Sequence, residues 1–138
     1  MRRRKLLGRK QLKKSMLILD TNAILRYLLA DNEEMANEVD KIIRNSQVGI
    51  KTEIIAELVY VLKGVYQIKR KEISELILDF FSIENVYVYD FDVAKYALKL
   101  YAHKNIDFVD CLLISYNKIT ADGVFTFDKK VIKLLSEK

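Results

Sequence analysis

Three short apolar runs in this chain each stop on an aspartate: Met16 to Leu19 before Asp20, Val86 to Tyr89 before Asp90, and Val124 to Phe127 before Asp128. Runs this short and this continuous suit strands buried on both faces, as in parallel sheets flanked by helices. In such a sheet the functional crevice lies outside the carboxyl ends of the strands, so acids delivered there by separate strands can converge on one point. Carboxylates gathered in that way repel one another unless a cation joins them.

Between the runs the apolar spacing turns helical. The pattern from Ala23 to Ala30 reads as a helix beginning at Thr21 or Asn22, and Asn32 to Arg44 carries Met35, Val39, Ile42 and Ile43 on one face. A short strand at Val48 to Ile50 follows, then a helix over 53–62 that Thr52 can cap and Gly64 can end, and an amphipathic helix over 69–81. After the strand at Val86 come helices over 91–103 and 107–118, a strand over 123–127 and a helical tail from Lys129. Four strands alternating with helices predict a three-layer α/β/α domain whose strands are joined by right-handed crossovers.

The chain has 138 residues, 51% of them hydrophobic, enough for one domain with its own core. With one cysteine, Cys111, and one histidine, His103, an internal disulfide and a zinc site are excluded, so any metal is a hard ion bound through oxygen. No apolar run approaches a membrane span and no secretory signal opens the chain, which makes the cytoplasm the default location and a membrane partner unexpected. Residues 1–15 hold eight of the 24 basic residues and none of the 19 acidic ones, so the remaining 123 residues are mildly acidic. That basic extension could hold RNA phosphates through counterion release, or be a disordered tail, or be upstream sequence before a start at Met16.

Each acid has an ordinary structural reading beside a chemical one. Asp20 can cap the first helix or ligate a cation, and Asp90 is assigned to capping. Asp107 and Asp110, in Asp-Phe-Val-Asp, resemble a capping box, with Asp107 the cap and Asp110 held ionised by the helix N-terminus as a ligand must be. Glu57 lies among Ile54, Ile55, Ala56, Leu58 and Val59, a costly place for a charge if buried, or else it shares a solvent-facing stripe with Glu53 and Tyr60. Asp128 beside Lys129 and Lys130 fits a loop ion pair. Cys111 reads as a small buried hydrophobe, His103 as a partner of its helix's last carbonyls, and Tyr60, Tyr87, Tyr89, Tyr96 and Tyr101 as core or interface before RNA platform.

Leu-Asp-Thr-Asn at 19–22, Ile-Ala-Glu-Leu-Val-Tyr-Val-Leu at 55–62, Asp-Phe-Val-Asp-Cys-Leu-Leu-Ile at 107–114 and Thr-Phe-Asp-Lys at 126–129, taken in that order, resemble the PIN-domain family. Within it the chain resembles the VapC type, small metal-dependent ribonucleases that act as toxins of toxin–antitoxin pairs. The resemblance covers residues 16–130 and implies a PIN-like sheet of four to five strands, the fifth in doubt because only ten residues follow Asp128. It carries the family's four acids onto Asp20, Glu57, Asp110 and Asp128, with Thr21, Asn22 and Thr126 steadying them. It further implies Mg²⁺ or Mn²⁺ held by Asp20 and Asp110, with Glu57 and Asp128 on water or a second ion, an RNA substrate, a cognate antitoxin and a homodimer. Arg26, Tyr27, Lys104 and Lys129 are candidate RNA contacts. The rival readings are a PIN-type nuclease of RNA processing or DNA cleavage without an antitoxin, and a metal- or partner-binding module without catalysis.

Overall fold

A computed structural model describes residues 16–137, so the basic extension lies outside the described residues. In chain order the elements are β1 (Leu17–Ile18), α1 (Thr21–Leu29), α2 (Glu33–Asn45), β2 (Val48–Ile50), α3 (Thr52–Gly64), α4 (Arg70–Phe81), β3 (Val86–Val88), α5 (Phe91–His103), α6 (Phe108–Thr120) and α7 (Lys129–Ser136). The alternation expected from the apolar runs is present, with two helices in each of the first two crossovers.

The strands are parallel in the order β1-β2-β3, pairing Leu17 with Val48 and Val48 with Val86. All three residues of β2 are buried, and successive strand residues face opposite sides, so both faces of the central strand are covered. This is the α/β/α layering expected from strands whose apolar runs do not alternate with polar residues. Helix α1 packs on α2 and α3, α4 on α5, and α6 on α5, α3 and α7. The core is aliphatic: Ile24, Leu58, Leu62, Ile73, Ile77, Leu98 and Ile114 are fully buried. Among the described residues no helix is long and apolar enough to cross a membrane.

The sheet departs from expectation at one edge. Three strands are present among the described residues, where four to five were expected. Residues 121–128 form neither helix nor strand, and Phe125 and Phe127 are 85% and 87% exposed, their rings 5.2 Å apart. Strand β1 is therefore an edge strand, with Leu17 and Ile18 46% and 47% exposed where burial on both faces was expected. An apolar run can act as a buried strand only if a neighbour supplies the other half of its ladder, and that condition is invisible within the run itself.

Helix entries depart in detail. Asp90 sits at the N-cap position of α5, but its backbone is left-handed (φ 51°), so the carboxylate makes no cap bond and accepts instead from the Tyr116 hydroxyl at 3.5 Å. Side-chain capping needs an extended N-cap backbone, which Asp90 lacks. Thr52 is the first residue of α3 and makes no cap, whereas Asn32 caps α2 by accepting from the Met35 amide at 3.0 Å. His103 is exposed at the last residue of α5 and makes no bond to its carbonyls among the described residues.

Gly49 in β2 marks a close approach. A Cβ there would meet Met16 Cγ at 2.8 Å, Tyr89 Cε1 at 3.0 Å and Ile18 Cδ1 at 3.2 Å. Gly49→Ala is therefore expected to cost about 1–3 kcal/mol of stability, read as a lower urea midpoint at unchanged m. An unchanged midpoint would show that those three side chains yield freely.

Candidate metal centre

The carboxyl end of β1 begins the site. Leu19 continues the ladder through its N–H to the Gly49 carbonyl, 3.1 Å, and is buried, which turns Asp20 outward at the start of α1. Asp20 Oδ1 accepts from the Ala23 amide at 2.8 Å, so the capping reading of Asp20 holds; that bond occupies one carboxylate oxygen. The next residue, Thr21, is buried, and its hydroxyl donates to Glu57 Oε1 at 2.5 Å. This bond ties the end of β1 to the middle of α3 and fixes the direction of the Glu57 carboxylate. Glu57 is itself exposed, in line with Glu53 and Tyr60 on the same helix face. The stripe reading of Glu57 is thus correct, and the burial penalty foreseen for it does not arise. Asn22 is exposed beside this pair.

The second pair of acids is carried by α6 and α7. Asp110, third residue of α6, is half-buried, and its carboxyl lies above the usual carboxylate range, first because burial disfavours the charge and then because the Asp128 and Asp107 carboxylates are close by. Asp128 caps α7: Oδ1 accepts from the amides of Lys130, 2.9 Å, and Val131, 3.2 Å, while its own N–H donates to Thr126 Oγ1 at 3.1 Å. Asp128 takes no part in a salt bridge among the described residues, so the loop ion pair expected for it is replaced by a cap. The buried Val131 anchors that helix and hence the acid.

Asp107 occupies the N-cap position of α6 without any side-chain cap bond, contrary to its expected role. The loop before it is held from a distance. Arg70, the first residue of α4, donates Nε to the Tyr101 carbonyl at 2.9 Å and Nη2 to the carbonyls of Lys104, 2.7 Å, and Ile106, and its guanidinium stacks 3.7 Å from the centre of the Tyr101 ring. Sequence reasoning missed Arg70. The one signal available was a cation at a helix N-terminus, where the dipole disfavours it and some other interaction must offset the cost.

The structure places the four acids in two neighbourhoods and does not bring all four together: Thr21, next to Asp20, bonds Glu57, and Asp128 lies near enough to Asp110 to disfavour its charge. Among the described residues no three of them converge tightly enough to cage a metal ion. Asp20 and Asp128 each use Oδ1 for capping, and among the described residues neither Oδ2 accepts a hydrogen bond. The donor set is oxygen alone, because Cys111 is fully buried with its thiol pushed up to about 12 by burial, and His103 lies outside the acid pairs. Such residues fit a hard divalent ion that keeps several waters and needs only one or two protein carboxylates.

The PIN-domain family model matches residues 17–136. The chain belongs to the PIN-domain family. As a PIN domain it is also 30% identical over 124 residues to a VapC ribonuclease of Aquifex aeolicus (strain VF5), an overlap covering 86% of this chain and 92% of that protein. No solved structure matches it.

Of the side chains considered for RNA contact in this PIN domain, two are consumed by the fold. Arg26 pairs with Asp31 at 2.9 Å and donates to the Tyr66 hydroxyl at 3.2 Å, and Tyr27 packs its ring 5.5 Å from that of Phe80. Lys104 and Lys129 are exposed. Tyr101 is a core residue as expected, whereas Tyr60 is 77% exposed and outside the core.

Proposed function

We propose that this PIN domain is a metal-dependent endoribonuclease and the toxin of a toxin–antitoxin pair, working in the cytoplasm with Mg²⁺ or Mn²⁺. The observation that carries the reading is Asp110 half-buried on α6, where that helix packs on the α7 that Asp128 caps, so that burial first and the nearby Asp128 and Asp107 second disfavour its charge until a cation arrives. Kinship with a protein named VapC ribonuclease supports RNA as the substrate and an antitoxin as the partner.

Asp20 and Asp110 would hold the ion directly, and Glu57 and Asp128 would hold its water or a second ion. When bound, the ion would neutralise charge building on the scissile phosphate and make a water nucleophilic near neutral pH. The chain's own groups prepare that chemistry. The Thr21 hydroxyl keeps one Glu57 oxygen engaged and so restricts the orientation of the other, which would accept from a water. The N-terminus of α6 favours the ionised form of Asp110 against the opposing effect of burial. Thr126, by accepting from the Asp128 amide, steadies the turn on which Asp128 stands, and the exposed Asn22 would offer its amide to the phosphate. No imidazole would be needed: water would lose a proton to a carboxylate as its oxygen bonds to phosphorus, the P–O3′ bond would break, and the leaving 3′-oxygen would take a proton from solvent, leaving a 5′-phosphate and a 3′-hydroxyl. Lys104, Lys130 and Lys133 line a cavity of about 250 Å³ with Glu137 and supply cations for flanking phosphates. A homodimer would be the active assembly, and an antitoxin would block the site.

Incubation of a mixed RNA pool with purified protein should yield 5′-phosphate ends in Mg²⁺ or Mn²⁺ and no cuts in EDTA. Millimolar Mg²⁺ or Mn²⁺ should also raise the melting temperature, because a ligand that binds only the folded state stabilises it. Cleavage that persists in EDTA, or a melting temperature indifferent to both ions, would remove the metal centre from the mechanism.

A further inference from the structure

A cavity of about 380 Å³ lies between α3 and the start of α6, lined by Val59, Tyr60, Lys63, Arg70, Asp107 and Val109 among others; the Arg70 guanidinium is engaged by the carbonyls of Tyr101, Lys104 and Ile106. Its volume is at the small end of the range of about 300–1,000 Å³ typical of ligand sites. One wall carries Tyr60 on the same helix face as Glu57, and the other runs from Asp107 to Val109, immediately before Asp110. The cavity therefore lies beside the helix turns that carry Glu57 and Asp110, with Tyr60 three residues from the first and Asp107 three from the second along the chain.

Its lining is unlike a surface left over from folding. Tyr60 is 77% exposed and Val109 57% exposed, and Tyr60 has no ring partner or hydrogen bond among the described residues. Asp107 stands at a helix start with an extended backbone (ψ 151°) yet leaves its carboxylate without a cap bond. Lys63 takes part in no salt bridge among the described residues. The site thus offers an aromatic face, an acceptor-only carboxylate and a free cation around an apolar floor.

We propose that this cavity holds an unpaired guanine of the RNA next to the cleaved bond, a proposal that rests on the ribonuclease reading. A stacked base fits the Tyr60 ring, and stacking alone accepts any base. Asp107 makes the choice. The Watson–Crick edge of guanine presents two adjacent donors, N1–H and the N2 amine, which match the two oxygens of a carboxylate. Adenine and cytosine each set one amine beside a ring-nitrogen acceptor, and uracil sets one N–H between two carbonyls, so each would turn a lone pair toward Asp107. Lys63 adds a donor for the acceptor-rich N7 and O6 edge of guanine.

The test is binding of the full chain to the single-stranded pentamers UUGUU, UUAUU, UUCUU and the inosine form UUIUU, by fluorescence anisotropy in millimolar Ca²⁺. The guanine RNA should bind about ten-fold or more tightly than the adenine and cytosine RNAs, with inosine, which lacks the N2 amine, in between. Asp107→Asn should erase that preference, and Tyr60→Ala should weaken all four by about ten-fold alike. Both positions are exposed, so folding is not at stake. Equal binding of the four RNAs by the wild type, or a guanine preference that survives Asp107→Asn, would overturn the proposal. Cleavage of the same RNAs in Mg²⁺ separates the two readings. Metal-dependent cleavage without base preference overturns the guanine site and keeps the nuclease; guanine-selective binding without metal-dependent cleavage supports the site and removes the nuclease.

Discussion

Asp110→Asn is expected to reduce metal-dependent RNA cleavage by at least about a hundred-fold, the scale of losing one preorganised charge contact at a reacting phosphate, while making the metal-free protein more stable. The two effects have one cause. The Asp110 carboxyl is held above its usual range by burial and by Asp128 and Asp107, so the folded state binds that proton more tightly than the unfolded chain does. Stability contributed by this group is therefore present at low pH and is lost as pH rises through the carboxylate range up to the raised folded value. At neutral pH the wild type carries the full penalty, and asparagine, which cannot ionise, removes it. In EDTA the melting temperature of Asp110→Asn should exceed that of the wild type, and the gap should close on acidification. Added Mg²⁺ should raise the wild type more than the variant. A variant less stable than the wild type in EDTA at neutral pH would show that Asp110 is held by favourable contacts and not poised for a cation.

Arg70→Met is expected to lower stability by about 2–4 kcal/mol, from charge-assisted hydrogen bonds and ring stacking lost together. Arg70 engages the carbonyls of Tyr101, Lys104 and Ile106 and lies over the Tyr101 ring. Methionine preserves much of the side-chain volume but leaves those carbonyls without the guanidinium. Cleavage should fall as well, because the 104–107 loop sets where α6 begins and hence where Asp107 and Asp110 stand. Arg70→Lys should recover little, since an ammonium cannot present the planar fork that meets several carbonyls at once. Urea unfolding and cleavage rates measured on both variants check this. A lysine variant equal to the wild type in both would reduce Arg70 to a surface charge.

Much of the scaffold was legible along the chain. Helix α5 runs from Phe91 to His103 and β2 from Val48 to Ile50 as the apolar spacing predicts, and α2, α3, α4 and α6 differ only by one or two terminal residues. Periodicity reports which face a segment buries, and a continuous apolar run reports that both faces are covered, so local pattern is enough. The candidate acids were legible for a similar reason, because Asp20 and Asp110 stand at element ends where chain direction reverses. The run over 124–127 has the same local pattern as β3 and does not join the sheet, because strand formation depends on a neighbour contributed by another part of the chain.

What the sequence by itself determined is the order of strands and helices, the scarcity of thiol and imidazole groups, and the candidacy of four acids, two of them at helix entries, one in the first turn of a helix and Glu57 within a helix. Tertiary structure alone decided how those acids are employed: Asp20 and Asp128 as helix caps that use one oxygen each, Glu57 anchored by Thr21 from 36 positions away, Asp110 half-buried near two other acids, and Asp107 left facing a cavity. The physical reason is range. Propensity and burial pattern act over a few residues and are written in order along the chain, whereas hydrogen bonds and charge repulsion act through space between residues whose proximity the fold must first create.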